Sequence, residues 1–234
     1  MVYVTPSHQF PLGVLMSPRR RQALLALARR TGAVVIEDDY DDEFRFDGRP
    51  LEALQTLDAS GQVVYVGTFA KSLFPELRLG YLMTPDWLRD ALRAVKQLGG
   101  LSPLIAQQTL AAFIAEGHLT RHVRRMRRLY SERRAALLEV VGRASGHGLR
   151  AYPSAAGLHV ALRLPEALDA QRLLAVAAKL GVGAYPAAQF AVGEERCNAV
   201  VLGYGALDAA RVRQGAEALV EAAAQLQFDR RFPK

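Results

Sequence analysis

Short apolar runs alternate with longer segments of helical periodicity over the first hundred residues. Val2-Tyr3-Val4 predicts a short buried strand, stopped by Thr5-Pro6-Ser7. Ser17 before Pro18 is a helix start, with serine as N-cap and proline at the first helical position. Leu24, Leu27 and Ala28 then recur at helical spacing, and Gly32 ends the helix. Ala33 to Ile36 is β-branched and apolar and predicts a buried strand, with Glu37-Asp38-Asp39-Tyr40 at its C-terminal end. Val63-Val64-Tyr65-Val66 predicts another, running into Gly67-Thr68-Phe69-Ala70-Lys71. Leu79 to Met83 is a further strand candidate, and Thr84-Pro85-Asp86 opens a helix to about Leu98. Strands joined by long crossovers make a mainly parallel α/β sheet. Ligands of such sheets bind beyond the carboxyl ends of the strands. The acidic cluster and Lys71 both lie there.

A different pattern follows the flexible joint Gly99-Gly100. Pro103 to about Ala144 predicts long helical sequence, broken near Gly117. Leu119, Val123, Met126, Tyr130, Leu137 and Val141 trace one apolar stripe along it. Then come a strand from Leu158 to Leu164, a helix from Ala170 to Leu180, short strands near Gly183–Tyr185 and Val200–Leu202, and a last helix from about Asp208 to Leu226. These elements predict a smaller α+β domain over residues 102–234, after an α/β domain over 1–101. No internal repeat or low-complexity tract interrupts them.

The 234 residues are half hydrophobic, enough for one large core or two modest ones. The net charge of +7 suits nucleic acid, a membrane surface or an anionic small ligand, and does not choose among them. Cys197 is the single cysteine, so an intramolecular disulfide is excluded and a reducing, cytoplasmic setting fits. No apolar run approaches the length of a membrane span. The chain opens within a core-like strand, which leads us to expect that an upstream part is absent.

The candidate chemistry starts at Lys71. A free lysine is protonated at neutral pH and becomes a nucleophile through burial or a neighbouring cation. A lysine for a Schiff base with an arginine, Arg78, seven residues on for a phosphate is the minimum a pyridoxal-phosphate site needs. On spacing alone, Lys71 as a strand-end cap and Arg78 as a surface arginine is the better reading. Asp38 and Tyr40, two apart in extended backbone, point to one side. There a carboxylate and a phenol can engage two atoms of one ring. A solvated acidic loop is the plain alternative.

Three motifs occur together: Thr5-Pro6-Ser7-His8-Gln9-Phe10-Pro11-x-Gly13, Glu37-Asp38-Asp39-Tyr40-Asp41-x-Glu43-Phe44, and Gly67-Thr68-Phe69-Ala70-Lys71-Ser72-Leu73-x-Pro75-x-Leu77-Arg78-x-Gly80-Tyr81. In this order and spacing the chain resembles the MocR/GabR family. That family joins a GntR-type winged helix to a domain similar to fold-type I aminotransferases. The arginine-rich stretch from His118 to Arg134 and Gly157-Leu158-His159 extend the resemblance over nearly the whole chain. It implies pyridoxal 5'-phosphate as cofactor, held covalently by Lys71. Asp38 would pair with the pyridine nitrogen and Tyr40 with the 3-oxygen. Arg78, helped by Thr68, would bind the phosphate, and His8 would lie near the ring.

The chain departs from ordinary aminotransferases in having Phe10 where they carry the asparagine of Asn-Pro-x-Gly. It also lacks an arginine before Leu202-Gly203-Tyr204, so Arg196 becomes the candidate grip for a substrate carboxylate. The resemblance implies a partial fold-type I large domain followed by the small domain. The first half of the large domain and the winged helix would be missing. The expected function is effector sensing and dimerisation in a transcriptional regulator. Its partners would be a second copy, a small amine or amino acid, and DNA only through the missing winged helix. An aminotransferase with turnover and a non-functional remnant remain alternatives. The arginines of 118–134 suit either a DNA-contacting face or the polar side of an amphipathic helix, and the intact apolar stripe favours the latter.

Overall fold

The computed structural model describes residues 1–48, 52–99, 103–192 and 197–231. They pack as two compact units. One comprises residues 1–9 and 15–127, the other residues 10–14 and 128–234.

The first unit is built on a four-stranded sheet of β1 (Val2–Val4), β2 (Val35–Asp39), β3 (Val63–Thr68) and β4 (Gly80–Met83), in that spatial order. β1, β2 and β3 are parallel, and β4 runs antiparallel to β3. Helix α1 (Pro18–Thr31) begins as its sequence predicts. The Ser17 hydroxyl accepts from the Arg20 amide at 3.4 Å, Pro18 follows, and Gly32 closes the helix at φ 68°. That left-handed conformation costs glycine little and other residues more.

Pairing register and the two-residue alternation of strands assign each side chain to a face. Val2, Val4, Val35, Glu37, Asp39, Val63 and Tyr65 share one face. Its apolar members close a core with Ala28, Leu24 and Leu25 of α1 and with Leu54, which opens the short helix α2 (Leu54–Leu57). Tyr3, Ile36, Asp38, Val64, Val66, Thr68 and Leu82 share the other face. Tyr3 and Leu82 there are exposed, and every residue of β4 is exposed.

The acids Glu37, Asp38 and Asp39 form the C-terminal end of β2, which extends past the apolar run that predicts the strand. The backbones of β1 and β3 pair through them regardless of side-chain polarity. Crossovers are tightened by polar side chains. The Asp58 carboxylate accepts from the amides of Ser60, Gln62 and Val63 at 2.8, 2.5 and 2.8 Å. Burial alone would raise its pKa, but these donors outweigh it and hold the group below the usual carboxylate range. The unit continues through α3 (Asp86–Leu98), α4 (Leu104–Ala115) and the start of α5 (His118–Arg143). Gly117, at φ 73°, separates α4 from α5 as predicted. Gly100 of the expected joint lies outside the described residues.

The second unit carries an antiparallel sheet in the order β5 (Arg150–Ala151), β6 (His159–Arg163), β8 (Ala199–Gly203), β7 (Tyr185–Pro186). It is completed by α6 (Ala170–Lys179) and α7 (Ala209–Arg231). Asp169 caps α6 by accepting from the Arg172 amide at 2.9 Å. The short segment 10–14 packs here. Leu12 lies against Ala187, Ala199 and Val201, and the Pro11 carbonyl is 3.0 Å from His159 Nε2. Phe10 meets the rings of His159 and Phe190 edge-on at 5.0 and 4.7 Å.

The predicted apolar stripe of α5 is at least half-buried at every position from Leu119 to Val141. Several of its arginines serve the fold. Arg127 donates twice to the Glu43 carbonyl, at 2.9 and 2.7 Å. Arg133 donates to the Gly205 carbonyl at 2.5 Å, and Arg134 to that of Ser154. Among the described residues no helix is long and apolar enough to cross a membrane.

Candidate functional site

The carboxyl ends of β2 and β3 share one edge of the first sheet because the two strands are parallel. Polar side chains of three motifs gather there. Asp38 is half-buried on the open face, and its Oδ2 accepts a hydrogen bond from the Tyr3 phenol of β1. Burial, then this bond and the charge of Asp38, push the Tyr3 hydroxyl up to about 12. Tyr3 was not among the sequence candidates. Its only signal was a polar-tipped ring in an otherwise aliphatic strand.

Tyr40 follows β2 directly. Its phenol donates to the His8 carbonyl at 2.8 Å and lies 3.3 Å from His8 Nδ1. Burial raises its pKa far above the ordinary phenol value, with further contributions from Asp41, Asp38 and Tyr3. The charge of Asp38 thus reaches both Tyr3 and Tyr40. His8 is buried, and its Nδ1 lies 2.8 Å from Asp41 Oδ2. The sequence drew attention to His8 but passed over Asp41.

Lys71 lies on the loop that leaves β3. The loop is closed by the Phe69 amide, which donates to the Leu79 carbonyl at 3.2 Å, and by the Leu73 amide, which donates to the Phe69 carbonyl at 2.8 Å. Thr68 Oγ1 accepts from the Ala70 amide at 3.1 Å. Lys71 itself is exposed and has no ion-pair partner among the described residues. Its neighbour Ser72 is buried, and the Ser72 hydroxyl has no hydrogen-bond partner among the described residues. Arg78 is exposed and adopts φ 52°, the one positive φ of a non-glycine residue among those described. Arg196 lies outside the described residues.

The edge thus offers an amine, a carboxylate, two phenols, two hydroxyls and a guanidinium. Strand order alone puts Lys71 and Thr68 at the edge that holds Asp38; an amine, hydroxyls and a guanidinium on one edge would suit a carbonyl compound that carries an anionic group.

The family model for aminotransferase class I and II matches residues 2–219. The chain belongs to that family. Among aminotransferase class I and II relatives, it is 40% identical over 227 residues to the HTH-type transcriptional regulator YhdI of Bacillus subtilis. That match covers 97% of this chain and 48% of YhdI. It is 39% identical over 234 residues to the probable rhizopine catabolism regulatory protein MocR of Rhizobium meliloti, covering all of this chain and 48% of that protein. The chain therefore spans about half the length of these regulators. Among solved structures it is similar to the kynurenine aminotransferase of Pyrococcus horikoshii in complex with PMP. The TM-score is 0.88 at 30% identity, over 96% of this chain and 56% of that one. The architecture is that of fold-type I aminotransferases, as the strand pattern and motifs led us to expect.

The face of β2 opposite Asp38 carries a titration signal of its own. Burial, with the nearby charge of Asp42, raises the Asp39 carboxyl from 3.8 to about 7, against the opposing bond from Tyr65 at 2.9 Å. A carboxyl with a raised folded pKa holds its proton more tightly folded than unfolded. Its contribution to stability is complete below its unfolded pKa and is lost as pH rises through about 7. We expect the melting temperature to fall between about pH 4 and about pH 7, and Asp39→Asn to flatten part of that fall. Glu37 and Glu43 are raised by burial in the same sense, so some slope survives the substitution. Thermal melts across this range check it, and an unchanged slope in the variant contradicts it.

Proposed function

We propose that this chain is the pyridoxal-phosphate-binding, effector-sensing and dimerising part of a MocR/GabR-type transcriptional regulator. The observation that carries this reading is the donor set at the edge of β2 and β3, with the buried Ser72 hydroxyl, next to Lys71 in the chain, lacking a partner among the described residues. A buried unpaired hydroxyl is costly, and an anionic group in the loop would satisfy it. The donor set fits pyridoxal phosphate, whose amine form, PMP, is bound in the similar Pyrococcus enzyme.

When bound, the cofactor supplies an aldehyde that condenses with amines and a ring that withdraws electrons. Lys71 is the amine that holds it. Asp38, to which Tyr3 donates, would be the carboxylate for the ring nitrogen. Tyr40 is the phenol for the ring's 3-oxygen. Arg78, Thr68 and Ser72 provide the anion-binding donors, and His8 lies beside the phenol. Arg196 is the proposed contact for an effector carboxylate. In this reading a small amine would compete with the Lys71 amine for the bound group, and release of Lys71 would bias one arrangement of the protein.

The proposal includes a homodimer, a small amine or amino-acid effector and a cytoplasmic setting. DNA contact would come through a winged helix, as in the HTH-type relatives. Division at residues 101 and 102 into a large-domain part and a small domain belongs to the same reading. Turnover as an aminotransferase would use the same residues, and assay of amino-group transfer to a 2-oxo acid separates it from sensing.

Reductive trapping tests the cofactor assignment. The chain has four lysines: Lys71, Lys96, Lys179 and Lys234. Since the chain spans about half the length of its regulator relatives, we expect weak binding, which borohydride reduction in excess pyridoxal phosphate captures. Peptide mass mapping should find Lys71 labelled well ahead of the other three. Equal labelling of all four lysines would refute the assignment.

A further inference from the structure

We propose that His8 and Asp41 form a positioning couple that holds the Tyr40 phenol in place for its partner. This rests on the cofactor reading above and adds to it the residues that aim the phenol. Three contacts make the case. His8 Nδ1 and Asp41 Oδ2 are 2.8 Å apart, and both residues are about 2% exposed. The Tyr40 phenol donates to the His8 carbonyl at 2.8 Å. The same phenol oxygen lies 3.3 Å from His8 Nδ1.

His8 thus touches one phenol oxygen from two directions, with main chain and with ring. The ring is in turn tied to the carboxylate next to Tyr40 in the chain. The contacts close a small loop through Tyr40, His8 and Asp41 that spans 32 to 33 positions of sequence. A carboxylate that accepts at Nδ1 keeps the proton on that nitrogen and fixes the ring's orientation. The second oxygen, Asp41 Oδ1, is buried without a partner among the described residues. Removing the imidazole would therefore strip Asp41 of the hydrogen-bond partner its carboxylate has among the described residues.

The arrangement fixes the phenol's oxygen while leaving its proton free to choose. Rotation about the C–O bond alone turns the O–H from the His8 carbonyl toward another acceptor. A donor whose oxygen need not move loses little entropy on engaging a ligand oxygen. His8 on this account stands behind the phenol as a positioning residue.

The test uses the chain labelled with carbon-13 at the tyrosine ring, without and with pyridoxal phosphate. Tyr40→Phe identifies the Tyr40 signal. Two variants break the couple, His8→Leu and Asp41→Ala. A third, His8→Asn, keeps an amide N–H near where Nδ1–H lies. In the cofactor-free chain we expect the Tyr40 signal to shift in both disrupting variants, which keep the bond to the His8 carbonyl but lose the ordered ring contact, and to stay in His8→Asn. The pyridoxal phosphate concentration for half-maximal trapping at Lys71 should rise roughly five- to tenfold in the disrupting variants, as for one lost hydrogen bond. It should stay within twofold in His8→Asn (about the scatter of such a titration).

A folded disrupting variant whose Tyr40 signal does not move overturns the proposal, whatever its melting temperature. If neither disrupting variant folds, His8→Asn decides: a moved Tyr40 signal refutes the couple, and a retained signal with retained trapping supports it. Absence of trapping at Lys71 in the unaltered chain would sink the cofactor reading alone. The Tyr40 signal of the cofactor-free chain judges the couple independently.

Discussion

Replacing Glu37 with alanine is expected to destabilise the first unit by about 2–4 kcal/mol, the largest effect of any single polar side chain at this edge. Glu37 is fully buried, and its two oxygens accept from the amides of Leu54 and Gln55 at 2.8 and 2.9 Å. Those amides open α2, where backbone donors have no partner within the helix. Alanine leaves both unpaired in a place water does not reach, at about 1–3 kcal/mol each. Part of that loss is offset, because burial raises the Glu37 pKa, so the native carboxylate already bears a desolvation cost. Glu37→Gln keeps one acceptor oxygen and should lose about half as much. Urea unfolding of the three chains measures this. A loss under about 1 kcal/mol for Glu37→Ala would mean that Glu37 does not anchor α2.

Arg78→Gly is expected to separate stability from binding. The left-handed conformation at Arg78, φ 52°, costs a residue with a Cβ about 1–2 kcal/mol, and glycine escapes it. Glycine also makes the unfolded chain freer, which takes back about 0.5–1 kcal/mol. The two nearly cancel, so the melting temperature should hardly move. Loss of the guanidinium removes charge-assisted bonds to a phosphate worth about 1.5–3 kcal/mol. The pyridoxal phosphate concentration needed for half-maximal trapping at Lys71 should therefore rise roughly ten- to a hundredfold. Trapping unchanged from the unaltered chain would remove Arg78 from the anion site.

Both expectations concern residues that sequence made visible to different degrees. Arg78 was legible because its spacing from Lys71 falls within one motif. The local signals of α1 were equally legible, since Ser17, Pro18 and Gly32 act on backbone groups a few positions away. The break at Gly117 belongs with them. Glu37 was legible only as one of three adjacent acids. Tyr3, Asp41 and Ser72 drew no role of their own from the sequence, because what distinguishes them is a contact, or the lack of one among the described residues, with a residue far along the chain.

Periodicity, caps and turn residues act over one to four positions, and the sequence by itself determined what they control: the succession of strands and helices, the strand ends that carry Asp38 and Lys71, and the family the motifs spell. Tertiary structure alone decided what each acid does. Strand alternation turns Asp38 to one face and its two neighbours to the other. There Glu37 meets the amides of α2 and Asp39 meets Tyr65, while Tyr3 reaches Asp38 and His8 reaches Asp41. Each partner lies 17 to 35 residues away. No local pattern encodes such pairings, because a carboxylate's role follows from which donor the packed sheet brings to it and how little water remains around the pair.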